Sequence, residues 1–111
     1  MGCSIQNDKD AALDKAIINR YLRRSFARRR VALYLYDISP DSSYVADISR
    51  QTHLAPISVT GSLHGDSQYR KQASLITLNL VEQFNSNDMR LYRITDFGKE
   101  IVKEMEKKER M

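Results

Sequence analysis

Apolar residues recur at helical spacing along most of this chain and give way to strand-like runs only between Leu80 and Thr95. Residues 8–24 read as the first helix. Its apolar arc, built from Leu13, Ala16, Ile17, Ile18, Tyr21 and Leu22, is wider than packing on one neighbour requires, so the rest of the domain or a second copy should cover it. Phe26 to Ile38 reads as the next helix, with Ala27, Val31, Tyr34, Leu35 and Ile38 inward. Phe26 and Leu33 fall nearly opposite, where the N-terminal helix of the same or another subunit is the natural cover. Ser39-Pro40-Asp41-Ser42 ends this helix as a turn.

Ser43 to Leu63 reads as two short helices joined by a tight turn. Ser42 or Ser43 can cap the first, on which Val45, Ile48 and Thr52 share a face. The pattern breaks at His53-Leu54-Ala55-Pro56, because proline lacks an amide hydrogen and suits the first position of a new helix. On that new helix Val59 and Leu63 point inward. The other side, with Ile57, Ser58, Gly61 and His64 and with Thr60 at its edge, is small and mostly uncharged. Side chains of that kind let a helix sit deep in the major groove, whereas a face meant only for water carries Lys and Glu. The competing reading is an ordinary helical hairpin whose outer face is small.

Beyond Leu63, His64-Gly65-Asp66-Ser67 breaks the helix, with Gly65 as a left-handed cap, and Gln68 to Leu78 reads as another helix. Asn79 is the expected helix end, since asparagine tolerates positive φ. Leu80–Phe84 and Arg90–Thr95 are strand-like, and the Asn85-Ser86-Asn87-Asp88 gap has hairpin-turn chemistry. Thr95-Asp96 then caps a last helix over Phe97–Lys108, with Phe97, Ile101, Val102 and Met105 inward. The expected fold class is mainly α with a small β-hairpin (α+β).

Composition narrows the setting. The 111 residues support one domain with a modest core, and 41% hydrophobic against 29% charged residues is an ordinary globular balance. The net charge of +4 only weakly favours polyanions. It is concentrated, however, in Arg20, Arg23, Arg24, Arg28, Arg29 and Arg30, which suit either phosphate neutralisation or a solvated helix face paired with acids. Arg70 and Lys71 sit near a helix start, against its dipole, and are further phosphate candidates. Cys3 is the sole cysteine, which leaves no intramolecular disulfide and no thiolate metal cage. With no membrane-length apolar run or secretory signal, a cytoplasmic protein is expected. The opening Met-Gly-Cys-Ser has the look of an acylation signal, but Gln6 stands where myristoylation wants Ser or Thr. An unstructured start over residues 1–7 is the expectation.

The order of these elements resembles the winged-helix-turn-helix transcriptional regulators. Ser43 to Leu63 is similar to their helix-turn-helix, and Leu78-Asn-Leu-Val-Glu82 with Leu91-Tyr-Arg-Ile-Thr-Asp-Phe-Gly-Lys99 is similar to their wing and following helix. The similarity covers about residues 26–105, within a winged-helix domain over 25–111. The chain departs from the pattern where residues 64–78 interrupt the usual run from recognition helix to wing, a form associated with small archaeal regulators. It departs again where Asn79 replaces the usual glycine. The resemblance implies double-stranded DNA as partner, with Pro56, Ile57, Ser58, Thr60 and Gly61 at the bases and Asn85, Ser86, Asn87 and Arg90 on the wing. Ser43, His64, Arg28, Arg29, Arg70 and Lys71 complete the candidate DNA-contacting set.

No catalytic arrangement stands out. His53 and His64 are distant from Cys3 in sequence, and no metal-binding or phosphate-cradling spacing occurs, so neither an enzyme nor a cofactor is expected. Tyr21, Phe26, Tyr34 and Tyr36 suit core or dimer contact better than an effector cleft, and any small-molecule effector is unknown. The leading expectation is a homodimeric DNA-binding regulator with its 56–64 helices in half-sites about 34 Å apart. The alternative is a winged-helix module that binds protein through Phe26, Leu33 and the arc of residues 13–22. Single-stranded or RNA binding is less favoured, because the presented helix has no exposed aromatic for base stacking.

Overall fold

The computed structural model describes residues 15–65 and 74–109. Residues 15–24 are helical (α1) and are followed by α2 (Phe26–Ile38), α3 (Val45–Thr52), α4 (Pro56–His64), β1 (Val81–Ser86), β2 (Met89–Ile94) and α5 (Asp96–Glu109). The protein is therefore mainly helical with one antiparallel two-stranded hairpin. The beginning expected for the first helix, residues 8–14, and the start expected to be unstructured lie outside the described residues.

One apolar core draws on every element. Ile18 and Leu22 of α1 join Val31, Ala32 and Leu35 of α2, Ile48 of α3, Val59 and Leu63 of α4, Tyr92 and Ile94 of β2, and Ile101, Val102 and Met105 of α5. The wide arc on α1 is thus divided, because Ile18 and Leu22 are buried while Ile17 stays 45% exposed. Of the two covers expected for Phe26, the same chain's α1 is not one: the ring is 61% exposed, with the Arg30 guanidinium 5.8 Å from its centre. Ser25 separates α1 from α2 and caps the latter by accepting the Arg28 amide at 3.2 Å. Because α1 ends at that corner and packs through Ile18 and Leu22, it does not cover the first residue of α2.

The expected helix over Gln68–Leu78 falls mostly on residues 66–73, which lie outside the described residues. Its described end is a closed turn. The Leu80 amide donates to the Leu75 carbonyl (3.0 Å) and the Asn79 amide to the Ile76 carbonyl (3.0 Å). This nested pair needs a positive φ between its arms, and Asn79, at φ 63°, supplies it where the sequence predicted. Leu75 and Ile76 also donate to the Ser62 and Leu63 carbonyls at 2.9 and 3.2 Å, occupying acceptors that the end of α4 leaves open. Gly65 has the expected positive φ (77°), but its ψ of 155° lies outside the left-handed region.

The hairpin is tighter than the four-residue gap suggested. Ser86 pairs with Met89, leaving Asn87 and Asp88 as a two-residue turn with φ of 50° and 63°. Positive φ at both positions matches the twist of the flanking strands, which is why Asn and Asp occur there. Val81, Tyr92 and Ile94 face the core while Glu82 and Arg93 face out; Arg90, on the Tyr92 side of the strand, is exposed near the hairpin end. The Arg93–Glu82 pair (2.6 Å) is half-exposed, and such pairs contribute about 1 kcal/mol or less. Burying Tyr92 and Ile94 outweighs it, at about 1.5–3 kcal/mol for a large apolar side chain.

Thr95 starts α5 by accepting the Gly98 amide on Oγ1 at 2.9 Å, while its own hydroxyl donates to the Asn79 carbonyl at 2.7 Å. The helix therefore begins pressed against the 79–80 turn. A β-carbon at Gly98 would collide with the Leu80 carbonyl oxygen and lie 2.7 Å from Ile94 Cγ1. Since the backbone at Leu80 is held by its own turn, it cannot yield cheaply. Gly98→Ala is expected to lower unfolding free energy by about 1–3 kcal/mol in urea titration, although alanine is the better helix former.

Candidate nucleic-acid interface

The α3–α4 pair folds as the sequence implies. Ile48 and Thr52 are buried, and the Thr52 hydroxyl donates back to the Ile48 carbonyl at 2.6 Å. His53 ends α3 at φ 61°, the Ser49 hydroxyl donates to the Leu54 carbonyl at 2.5 Å, and Pro56 opens α4. Val59 and Leu63 then anchor α4 in the core. The start of α3 differs from expectation. Tyr44, not a serine, precedes it without a side-chain cap, while the Ser43 hydroxyl donates to the Asp47 carboxylate at 2.8 Å.

The candidate contact residues separate into groups. Pro56, Ile57 and Thr60 are exposed on α4, Ile57 at 74%, and Ser58 and His64 are half-buried. Asn87 and Arg90 are exposed at the hairpin tip together with Asn85 and Ser86. Gly61, expected on the outward face, is buried. The adjoining Ser62 and Leu63 carbonyls receive the returning Leu75–Ile76 segment, so the C-terminal half of α4 is enclosed rather than presented. Ser43 is only 4% exposed, because its backbone bridges to Tyr92 and its hydroxyl is committed to Asp47.

The arginine cluster is divided too. Arg28 is 8% exposed and donates through Nη1 to the Tyr21 carbonyl at 3.3 Å, so it secures the α1–α2 corner and is not available to a phosphate. Arg30 turns to the Thr52 carbonyl (3.1 Å) and Arg29 is half-buried. Arg20, Arg23 and Arg24 remain exposed. Arg70 and Lys71 lie outside the described residues.

Tyr92 and Asp47 are the residues that sequence reasoning missed. The Tyr92 hydroxyl lies 2.7 Å from His64 Nε2, the rings meet edge-on at 5.5 Å, and the positive charge of Arg90 acts on both groups. The end of α4 is thereby joined to the strand that carries the hairpin tip. Burial, and then the positive charge of Arg90, hold His64 below the ordinary histidine value, while burial pushes the Tyr92 hydroxyl up. Asp47 accepts from Ser43 and from the Tyr34 hydroxyl (3.0 Å), bonds that hold its carboxyl below the usual range. The partner of the Tyr92 hydroxyl is 28 residues away, which leaves no local signal in the sequence.

Among the described residues no cluster of His, Cys, Asp and Glu could hold a metal ion, and no helix is long and apolar enough to cross a membrane.

Because the folded state favours neutral His64, its stabilising contribution is complete above the unfolded value of 6.5 and lost as pH falls through the lower folded value. The urea midpoint of the wild-type protein should therefore drop as pH is lowered from about 7.5 to about 5. His64→Gln should flatten that slope; a slope that survives the substitution assigns it to another group.

Comparison with known proteins places the chain. An uncharacterized protein from Methanocaldococcus jannaschii is 38% identical over 93 residues, which is 83% of this chain and 83% of that protein. No solved structure matches the chain. The EarA-like family model matches residues 18–105, from α1 through Met105 of α5, and this chain belongs to the EarA-like family.

Proposed function

We propose that this protein is a winged-helix transcriptional regulator that binds double-stranded DNA as a homodimer, with α4 in the major groove and the β1–β2 hairpin as its wing. The observation that carries this reading is the exposed, charge-free start of α4. Pro56, Ile57 and Thr60 stand out from the surface on a helix anchored behind by Val59 and Leu63. A groove about 12 Å wide admits such a helix, and small side chains permit close approach to base edges. Arg20, Arg23 and Arg24 supply exposed positive charge for phosphates, and Asn87 and Arg90 at the hairpin tip suit a neighbouring groove or backbone.

A second reading is favoured by a different observation. Phe26 and Ile17 are large apolar residues exposed at 61% and 45% near the α1–α2 corner, a surface suited to another protein or a second copy. Under the first reading they belong to the dimer contact. Under the second they are the functional surface and DNA is not a ligand.

Fluorescence anisotropy with random-sequence duplex at moderate salt separates the two. Binding is expected, and Ile57→Glu with Thr60→Glu should weaken it by about tenfold or more, because like charge is driven toward phosphate. Arg23→Gln with Arg24→Gln should lower affinity and reduce the salt slope. Circular dichroism should show both variants folded, since all four positions are exposed. Absence of wild-type binding, with Phe26→Glu abolishing capture of a protein partner, would select the second reading.

A further inference from the structure

Every polar group that α4 could offer to a base edge is limited in kind. The nine residues from Pro56 to His64 include no Arg, Lys, Asn, Gln, Asp or Glu. The forked donors that read guanine and the paired amide that reads adenine are therefore absent from this helix. His64, whose ring could substitute, faces the Tyr92 hydroxyl at 2.7 Å. Ser62 donates to the Ser58 carbonyl at 2.8 Å and is buried. What remains outward is the Ile57 side chain, 74% exposed, the methyl and hydroxyl of Thr60 one turn on, and the half-buried Ser58 hydroxyl, a single group that pairs with either kind of base and so distinguishes none.

A single exposed isoleucine is unremarkable on a protein surface. Here it sits beside Pro56 and Thr60 on a face without a charge, so water gains nothing from its presentation. In the major groove one feature is apolar, the C5-methyl group of thymine, and a branched aliphatic side chain is its natural contact.

We infer that α4 selects its site by the C5-methyl groups of thymine, with Ile57 as the principal contact and Thr60 as the second. This inference rests on the DNA-binding reading and adds the chemistry that is read. Specificity then arises from apolar contact and shape, while the arginines supply sequence-independent attraction. Each methyl is worth about fourfold in affinity, the burial value of one such group.

Replacing thymine by deoxyuracil removes that methyl and leaves the Watson–Crick pairing intact. The full-length protein is first used to enrich a duplex from a random-sequence pool, and that duplex is then remade with uracil at each thymine in turn. Wild-type protein should lose about fourfold in affinity at one or two positions per half-site. Ile57→Ala should bind more weakly to the thymine duplex and show little further loss with uracil at the position it had contacted. Thr60→Val, which keeps a methyl and removes the hydroxyl, should retain the thymine preference. A uracil duplex bound as tightly as its thymine parent, an enriched site made of G·C pairs alone, or an uracil penalty undiminished in Ile57→Ala would each overturn the inference while leaving DNA binding in place. If no duplex of any composition binds, the DNA-binding reading fails and the inference with it.

Discussion

Tyr92 joins three parts of the chain that are far apart in sequence. Its amide donates to the Ser43 carbonyl at 2.8 Å and its carbonyl accepts from the Ser43 amide at 2.9 Å, which fixes strand β2 against the residue just before α3. Its ring is buried in the common core and its hydroxyl reaches His64 at the end of α4. Ser43 in turn donates to Asp47, which also receives Tyr34 from α2. The hairpin, the helix pair and the central helix α2 are therefore tied through one side chain and one carboxylate. Each bond adds only about 1 kcal/mol net, but an unmatched hydroxyl on buried Tyr92 or Ser43 would cost more than that. The arrangement accordingly specifies one orientation of hairpin against helix pair.

The same logic explains the division of the arginines. Six of them between residues 20 and 30 read as one positive patch in a linear sequence. Yet the corner between α1 and α2 leaves carbonyls at the end of α1 without helical partners, and a guanidinium is well suited to them. Arg28 takes the Tyr21 carbonyl, and Arg30, between the Phe26 ring and the Thr52 carbonyl, holds the end of α3 to α2. Charge that looked available for a ligand is in part the fastening of the fold. Arg20, Arg23 and Arg24, on the far side of the corner, are left at the surface.

What could be read from the sequence was whatever depends on near neighbours. Pro56 at a helix start, Asn79 at positive φ, the Asn87-Asp88 turn and the Thr95 cap each follow from local stereochemistry, and each is present. The inward positions of α3, α4 and α5 follow from helical spacing. The departures all come from tertiary contact. Helical periodicity placed Gly61 outward, but a segment returning more than ten residues later encloses that half of α4. A serine before a helix suggests a cap, and nothing local reveals that Ser43 pairs with a strand far along the chain. Phe26 was placed opposite the inward stripe, and whether α1 of the same chain covers it depends on the corner at Ser25, which periodicity does not show. For the candidate interface, the exposure of Ile57 and Thr60 was legible and the His64–Tyr92–Arg90 junction was not.

An isolated helix of nine residues does not hold in water, because the cost of its first turn is not recovered over so short a length. The outward face of α4 therefore depends on what holds its other sides. Val59 and Leu63 are fully buried, the Gly65 amide closes on the Gly61 carbonyl at 2.8 Å, and the Leu75 and Ile76 amides occupy the next two carbonyls. Only the first turn, around Pro56 and Ile57, is held from behind alone, and proline has already fixed its backbone angle. A surface ordered in advance costs little further entropy when something binds it. Enclosing Gly61 thus narrows the presented area of α4 to its start, from Pro56 to Thr60, where the helix is held by the buried Val59 behind it.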